Sequence, residues 1–240
     1  MAKIKTNDLD VVYFISAYPR LDALYSIRSV AENLEFNKLW IYGGKPGGIH
    51  PDHFEQRRWQ VGATKWARVR NMYLEVCKND NITEDFILFH DDFFVLKFVD
   101  SLEPEYCATL KKLAETIESR YGGNKTDYTD ILRRTADVLQ NGGYSAKSYE
   151  LHKPFVFNRK KLLKILDDYP KEHCMRSIYA NVYGVGGKSA QDVKISRNND
   201  DYLEIVKNSD FISTNNDTWE HSSVGNWLRY RFSKPCRFEM

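Results

Sequence analysis

Two adjacent carboxylates close a strongly apolar stretch of the sequence. Residues 86–94 read FILFHDDFF, so Asp91 and Asp92 follow a run in which His90 is the only polar residue. Burying an unpaired carboxylate is costly, so the pair either binds a positive group or marks the place where a strand reaches solvent. Neighbouring side chains of a strand point to opposite faces. One carboxylate can therefore hold Mg²⁺ or Mn²⁺, which prefer oxygen ligands, while the other contacts a sugar or ribose hydroxyl.

Asp192, in SAQDVKI, and His152, in LHKPFVF, are two further candidates for catalysis. A carboxylate close to an acceptor hydroxyl can remove its proton as a general base. A histidine can act as the base itself, bind a phosphate or position the acceptor. The alternatives are an N-cap at a helix beginning near residue 192 and a hydrogen-bonded core position for His152.

A basic helix and the end of the first strand supply the candidate residues for nucleotide binding. Lys65, Arg68 and Asn71 recur at intervals of three in KWARVRNMYLEVCKN. This spacing places neighbours on one helix face, where they contact a diphosphate or a base, or simply form a solvated basic face. Ser16 and Arg20 follow the apolar run DVVYFISAY and are placed to meet a nucleotide base or ribose.

The order of predicted elements indicates an α/β fold. DVVYFISAY, NKLWIYGG and DFILFH read as strands, and the segments between them carry apolar residues at helical spacing. Strand–helix–strand–helix–strand is typical of a mixed, Rossmann-type sheet with flanking helices, which binds ligands at the carboxyl ends of its strands. We expect one domain over residues 1–240, with a helical hairpin inserted at about 103–142 and a segment from about 196–240 wrapping over the core.

The overall composition excludes several classes of protein. The net charge is only +2, which is unlike a general polyanion binder. The four cysteines include no CxxC pair and are interpreted as reduced. The polar start MAKIKTNDLD leads into an apolar run that is too short for a leader or a membrane span. We therefore expect a cytoplasmic protein without membrane contact.

Four blocks of the sequence resemble known families of sugar-transferring enzymes. ILFHDDFF resembles the acidic-strand motif of glycosyltransferases of the GT-A type, and SAQDVKI is similar to an acidic element found late in many of them. Residues 24–46 and 151–166 resemble blocks of the Stealth family of sugar-phosphate transferases. The four blocks occur in the expected order. The helical hairpin at about 103–142 and the segment after about 196 have no counterpart in these families.

The resemblance implies a GT-A-like fold, a nucleotide-sugar donor (a UDP-sugar first) and a divalent cofactor, Mn²⁺ or Mg²⁺. It implies that Asp92 is the metal ligand, that Asp91 assists it or contacts a sugar or ribose hydroxyl, and that Asp192 faces the acceptor. His221 lies where GT-A enzymes often return a histidine to the metal. Lys65 and Arg68 then hold the donor.

Three functions follow from these observations. The first is transfer of a sugar to a hydroxyl acceptor, with hydroxymethylated bases of phage DNA as one specific acceptor. The second is a Stealth-like transfer of a sugar phosphate. The third is a non-catalytic nucleic-acid-binding protein, for which basic and aromatic residues would form the binding patch. These residues are Arg57, Arg58, Arg70, Trp227, Arg229, Tyr230, Arg231, Phe232, Lys234, Arg237 and Phe238.

Overall fold

The computed structural model describes residues 3–56, 64–196 and 202–239. The strands are β1 Ile4–Lys5, β2 Asp10–Phe14, β3 Leu39–Gly43, β4 His53–Gln56, β5 Asp85–His90, β6 Phe93–Val95, β7 Ser101–Leu102, β8 Glu105–Tyr106, β9 Ala108–Thr109, β10 Lys147–Ser148, β11 Phe155–Asn158, β12 Lys188–Ser189, β13 Lys194–Ile195 and β14 Phe211–Thr214. The helices are α1 Leu21–Asn33, α2 Lys65–Lys78, α3 Leu110–Arg120, α4 Asp127–Asn141, α5 Arg159–Asp168, α6 Met175–Val182, α7 Tyr202–Asn208, α8 Asn216–His221 and α9 Ser223–Arg231.

A mixed sheet with the strand order β11-β5-β2-β3-β4 forms the centre of the molecule. Strands β2 to β5 are parallel, and β11 pairs with β5 in the antiparallel direction. Strands β2 and β3 are buried along their whole length, as expected where helices cover both faces of a sheet. The predicted fold class, an α/β fold with a mixed sheet and flanking helices, is confirmed.

Alternate residues of the central strands build two cores. On one face Val12, Phe14 and Leu88 pack with apolar residues of α2, α5 and α6. On the other face Val11 and Tyr13 pack with α1 and with residues from the end of the chain. Because the side chains of a strand alternate between faces, each of these strands stabilises both layers.

The carboxyl ends of the parallel strands meet at one edge of the sheet, called here the carboxyl edge. Gly43 brings two of these ends together: its φ is +122°, and a Cβ at this position would lie 1.9 Å from the carbonyl oxygen of Ile15. Only glycine adopts this conformation without strain. The next residue, Gly44, donates a backbone hydrogen bond to the carbonyl of Ser16 at 3.0 Å. The loop after β2 is thereby fixed against the end of β3.

A second, small sheet of β13, β14 and β6 lies beyond the carboxyl edge. Strand β13 is parallel to β14, and β14 is antiparallel to β6. The sequence-based alternative of a helix starting near Asp192 is wrong, because the following residues form β13. Because β14 lies between β13 and β6, the residues that follow Asp192 are close to the residues that follow β5.

The predicted helical hairpin is present as α3 and α4, which pack on each other through Leu110, Ala114, Leu132 and Ala136. The sequence TDYTDILRR offers Thr129 or Asp130 as the N-cap of α4, but the helix begins earlier, at Asp127. Thr126 caps this helix, and its side chain exchanges hydrogen bonds with the third helical residue, Thr129. None of the helices in the described ranges is long and apolar enough to cross a bilayer.

Candidate functional site at the carboxyl edge

Asp91 and Asp92 form the turn between β5 and β6, called here the acidic turn. Strand β5 pairs with β2 up to His90 opposite Phe14, so the turn lies beside the loop that follows β2. Burial raises the pKa of Asp91 to about 7, the charges of Asp92 and Asp22 act in the same direction, and a backbone hydrogen bond from Ser16 opposes them. The predicted nucleotide contacts Ser16 and Asp91 are thus neighbours.

Asp92 is held by two residues of the small sheet. Its Oδ2 atom lies 2.9 Å from the Nζ of Lys194 and 3.2 Å from the hydroxyl of Ser213. Lys194 and Ser213 face each other in the register of β13 and β14. Burial raises the pKa of Asp92, but the charges of Lys194 and His90 outweigh burial and leave the pKa below its ordinary value.

His152 and Asp192, both predicted to be catalytic, are in direct contact. The Nδ1 atom of His152 lies 2.6 Å from Oδ2 of Asp192, and the backbone amide of His152 donates to Oδ1 at 2.8 Å. The amide of Val193 also donates to Oδ1, at 2.9 Å. Burial raises the pKa of Asp192, but the hydrogen bond and charge of His152 reverse the effect and lower it. Both carboxylate oxygens are therefore engaged, and the pair forms a dyad.

The dyad lies next to the acidic turn. The ring of Phe93, the first residue after the turn, is 6.2 Å from the ring of His152 and 5.2 Å from the ring of His90. His152 also contributes to the low pKa of Asp92. Asp192 precedes Lys194 by two residues, so a single short segment supplies both the dyad and the partner of Asp92.

Arg20 and Asp22 form the third charged group of the edge. Arg20 immediately precedes α1, and its Nη2 lies 3.2 Å from Asp22 and 3.8 Å from Glu220. The same Nη2 is buried and makes no hydrogen bond within the described part of the chain. Burial raises the pKa of the Asp22 carboxyl, Arg20 opposes that shift, and the nearby charge of Asp92 reinforces it.

The remaining predicted residues lie farther from the acidic turn. Lys65 is exposed, with its Nζ 5.5 Å from the ring of Trp66. Burial lowers the pKa of His90 to about 3, and the charges of Arg176 and, more weakly, Lys65 act in the same direction. Lys65 is therefore within electrostatic reach of the end of β5.

Arg68 is half-buried one turn further along α2, and Asn71 is exposed. His221, the third predicted metal ligand, has a side chain that is 71% exposed, and its Nε2 lies 3.7 Å from Glu220. Within the described ranges, neither Asn71 nor His221 forms a hydrogen bond, an ion pair or a ring contact with the acidic turn or the dyad. Arg57 and Arg58 lie outside the described residues.

The acidic turn is a poor fit for the implied Mn²⁺ or Mg²⁺. Residues 3–56, 64–196 and 202–239 contain no group of three or more histidine, cysteine or acidic residues that could hold a metal. Asp92 is already paired with an ammonium group, that of Lys194. The residues as placed do not fit a divalent cation.

Three residues of this site were missed by the sequence analysis: Asp22, Lys194 and Ser213. Lys194 follows Asp192 by two residues, but no sequence pattern links it to Asp92, its partner. Asp22 follows Arg20 by two residues at a predicted helix start. Ser213 has no comparable signal, since its place depends on the pairing of β14 with β6.

The fold and the site together define an α/β protein with a charged cluster at the carboxyl edge of its sheet. No known protein family and no curated protein matches the sequence. Among solved structures, the chain is similar to the glycosyltransferase GlyE of Streptococcus pneumoniae TIGR4. The apo form gives a TM-score of 0.41 at 10% identity over 95% of this chain, and a second GlyE structure gives 0.40 at 9% over 95%. The chain spans 61% and 62% of the length of those two structures.

Proposed function

We propose that the protein is a glycosyltransferase that moves a sugar from a nucleotide-sugar donor, a UDP-sugar first, to a hydroxyl acceptor. The observation that supports this most is the His152–Asp192 dyad beside the acidic turn. Such a dyad can take a proton from a hydroxyl. The neighbouring Arg20 and Lys194 supply positive charge where a diphosphate would leave.

The base in this proposal is His152, oriented by Asp192. Both oxygens of Asp192 accept hydrogen bonds, whereas the Nε2 of His152 has no hydrogen bond within the described residues. A carboxylate on one ring nitrogen fixes the tautomer, so that the other nitrogen can accept a proton. Asp192 then acts through His152, which modifies the role that the sequence indicated for it.

Transfer breaks the bond between the anomeric carbon and a diphosphate oxygen, which leaves with the electron pair. A new bond forms between that carbon and the acceptor oxygen, and the acceptor proton passes to His152. Ser16, Arg20 and Asp91 are proposed to contact the donor, since they lie at the carboxyl edge where α/β sheets bind ligands. Lys65 and Arg68 on α2 are the next donor contacts we propose.

The test is a panel of UDP-, GDP- and CMP-sugars in a thermal-shift assay, each with EDTA, Mn²⁺ or Mg²⁺. At least one nucleotide sugar should raise the midpoint, and the same compound should release its nucleotide (UDP, GDP or CMP) with an acceptor present. Asp137→Asn is the control variant, because its exposed carboxylate on α4 pairs with Lys111 and has no proposed role in donor binding. A panel without any shift or release would contradict the proposal.

The acceptor and the transferred group are separate questions. DNA with hydroxymethylated bases stays the specific acceptor prediction, and mass spectrometry of treated DNA tests it. Mass spectrometry also distinguishes a transferred hexose from the hexose phosphate of the Stealth-like alternative. Dependence on Mn²⁺ or Mg²⁺ stays a prediction of the resemblance, and the comparison of EDTA with added metal tests it.

Some residues of the basic and aromatic patch proposed for nucleic-acid binding already form hydrogen bonds within the protein. Arg231 contacts Glu32 at 2.6 Å, and Arg229 donates to the carbonyl of Trp219 at 2.6 Å. Tyr230, in contrast, is 83% exposed. Binding of plain duplex or single-stranded DNA that survives His152→Ala, without any nucleotide-sugar binding, would favour this alternative over the transferase.

A further inference from the structure

Lys194 is placed where a bound metal would otherwise be expected. Its Nζ lies 2.9 Å from Oδ2 of Asp92, and the two side chains are only 25% and 19% exposed. Withdrawing a lysine from water is costly, and its pairing with one carboxylate repays only part of that cost. An ammonium group has three donors, and Asp92 uses one of them.

The Lys194 ammonium and a divalent ion compete for the same carboxylate. A magnesium ion binds carboxylate oxygens at about 2.0–2.1 Å, and an ammonium in contact with the same Oδ2 repels it. No group of three or more histidine, cysteine or acidic residues that could hold a metal is gathered within the described ranges. The cation at the acidic turn is therefore a side chain of the protein itself, the ammonium group of Lys194.

Arg20 provides an independent sign that an anion binds at this edge. Its Nη2 is buried without a hydrogen bond in the described part of the chain, although it lies 3.2 Å from Asp22 and 3.8 Å from Glu220. A buried N–H group that forms no hydrogen bond is costly. A phosphate oxygen is a fitting acceptor, because guanidinium groups bind phosphates with strong, charge-assisted hydrogen bonds.

We infer that Lys194, held in place by Asp92 and assisted by Arg20, neutralises the donor diphosphate, so that the reaction needs no divalent metal. This inference rests on the proposed function. When the anomeric carbon–oxygen bond breaks, the electron pair stays on the diphosphate, which gains one negative charge. Lys194 and Arg20 stabilise that charge by hydrogen bonds, and the acceptor proton still goes to His152. Asp92 is then a positioning residue for the lysine and not a metal ligand.

The experiment measures nucleotide-sugar binding by calorimetry and nucleoside diphosphate release, both in excess EDTA and with added Mn²⁺. The variants are Lys194→Met, which removes the charge and keeps the apolar stem, and Lys194→Arg, which keeps the charge. Lys97→Met is the matched control, since Lys97 lies just after β6 and pairs with Asp210 at 3.8 Å. Mn²⁺ binding to the protein alone is followed by electron paramagnetic resonance.

The wild type should bind and turn over its donor equally well in EDTA and in Mn²⁺. Lys194→Met should weaken donor binding in EDTA by roughly tenfold to a hundredfold, the range expected for one charge-assisted hydrogen bond. It should also bind Mn²⁺ more tightly than the wild type, because Asp92 becomes available. Lys194→Arg should retain most of the binding, and Lys97→Met should behave like the wild type.

Two results overturn the inference while leaving the proposed function intact. One is loss of donor binding or turnover by the wild type in EDTA with recovery in Mn²⁺, a measurement that does not depend on any variant folding. The other is a folded Lys194→Met protein that binds donor like the wild type in EDTA. If no nucleotide sugar binds under any of these conditions, the proposed function fails and the inference fails with it.

Discussion

Asp92 and Asp192 lie at the same edge of the sheet and are each held by a basic side chain, but the two partners differ in kind. Asp92 pairs with the ammonium group of Lys194, and both side chains are largely buried. Asp192 pairs with His152, an imidazole of the kind that serves as a general base. The first pair can hold an anion in place, and the second can move a proton. Binding and catalysis are therefore divided between two carboxylates that both lie close to strand β13.

The largest effect is expected for the proton-moving pair. His152→Gln and Asp192→Asn should each lower the rate of sugar transfer by about a hundredfold to ten-thousandfold, the usual contribution of a positioned general base. Donor affinity should change little, because neither residue is proposed to hold the diphosphate. Steady-state kinetics check this as a fall in kcat with an almost constant KM for donor.

If these variants instead raise KM for the donor and leave kcat unchanged, the dyad binds the donor and does not move a proton. The distinction between the two pairs would then be wrong. Asp137→Asn on α4 serves as the control, because its carboxylate is exposed and pairs with Lys111 far from the edge. The double variant of His152 and Asp192 should be no slower than the worse single variant, as expected for residues that act as a unit.

The next effect is on folding stability, where the two pairs should respond differently. Asp92→Asn leaves the ammonium of Lys194 largely buried without its counter-charge, so we expect a loss of about 2 kcal/mol in the free energy of unfolding. Asp192→Asn should cost about 1 kcal/mol or less, because both side chains of that pair are over a third exposed. Urea unfolding at neutral pH measures both values.

Equal losses would contradict the distinction between the largely buried Asp92–Lys194 pair and the more exposed Asp192–His152 pair. The reference variant is Asp168→Asn, which removes an exposed pair with Lys164 on α5. Its unfolding midpoint should be the same as that of the wild type, since exposed pairs contribute little.

The sequence predicted the acidic turn better than it predicted the partners of that turn. Long apolar runs identified β2, β3 and β5, and the rule that parallel strands end at one edge placed Ser16 and Asp91 on the same side of the sheet. Helical periodicity likewise gave α1, α5 and the hairpin of α3 and α4, because each of these helices has a continuous apolar face.

The contacts that give the site its chemistry depend on pairings that are distant in sequence. Lys194 and Asp92 are 102 residues apart, and His152 and Asp192 are 40 apart. Strand β13 has only two residues, and strands this short have no periodicity to detect. The sequence therefore indicated Asp92, His152 and Asp192 as single candidates, but which basic group each carboxylate meets is decided by the small sheet.

The smallest effect concerns Asp91, a carboxylate of the edge that has no basic partner within the described ranges. Its pKa is raised to about 7, by burial first and then by Asp92 and Asp22, from the ordinary value of 3.8. The folded protein thus holds a proton that the unfolded chain has already lost. The stability contributed by this proton is complete below about pH 4 and is lost as the pH rises through about 7.

Asp91→Asn should remove this pH dependence, because the amide stays neutral. At about pH 8 the variant should be more stable than the wild type by about 1 kcal/mol, a value reduced from the full shift because the side chain is partly exposed. The difference should disappear near pH 4. Urea unfolding across this range checks both statements, and a variant that is less stable at pH 8 would show that Asp91 is ionised and paired like its two neighbours. Asp91 would then be a paired carboxylate like Asp92 and Asp192, and the distinction between paired and unpaired carboxylates at the carboxyl edge would be wrong.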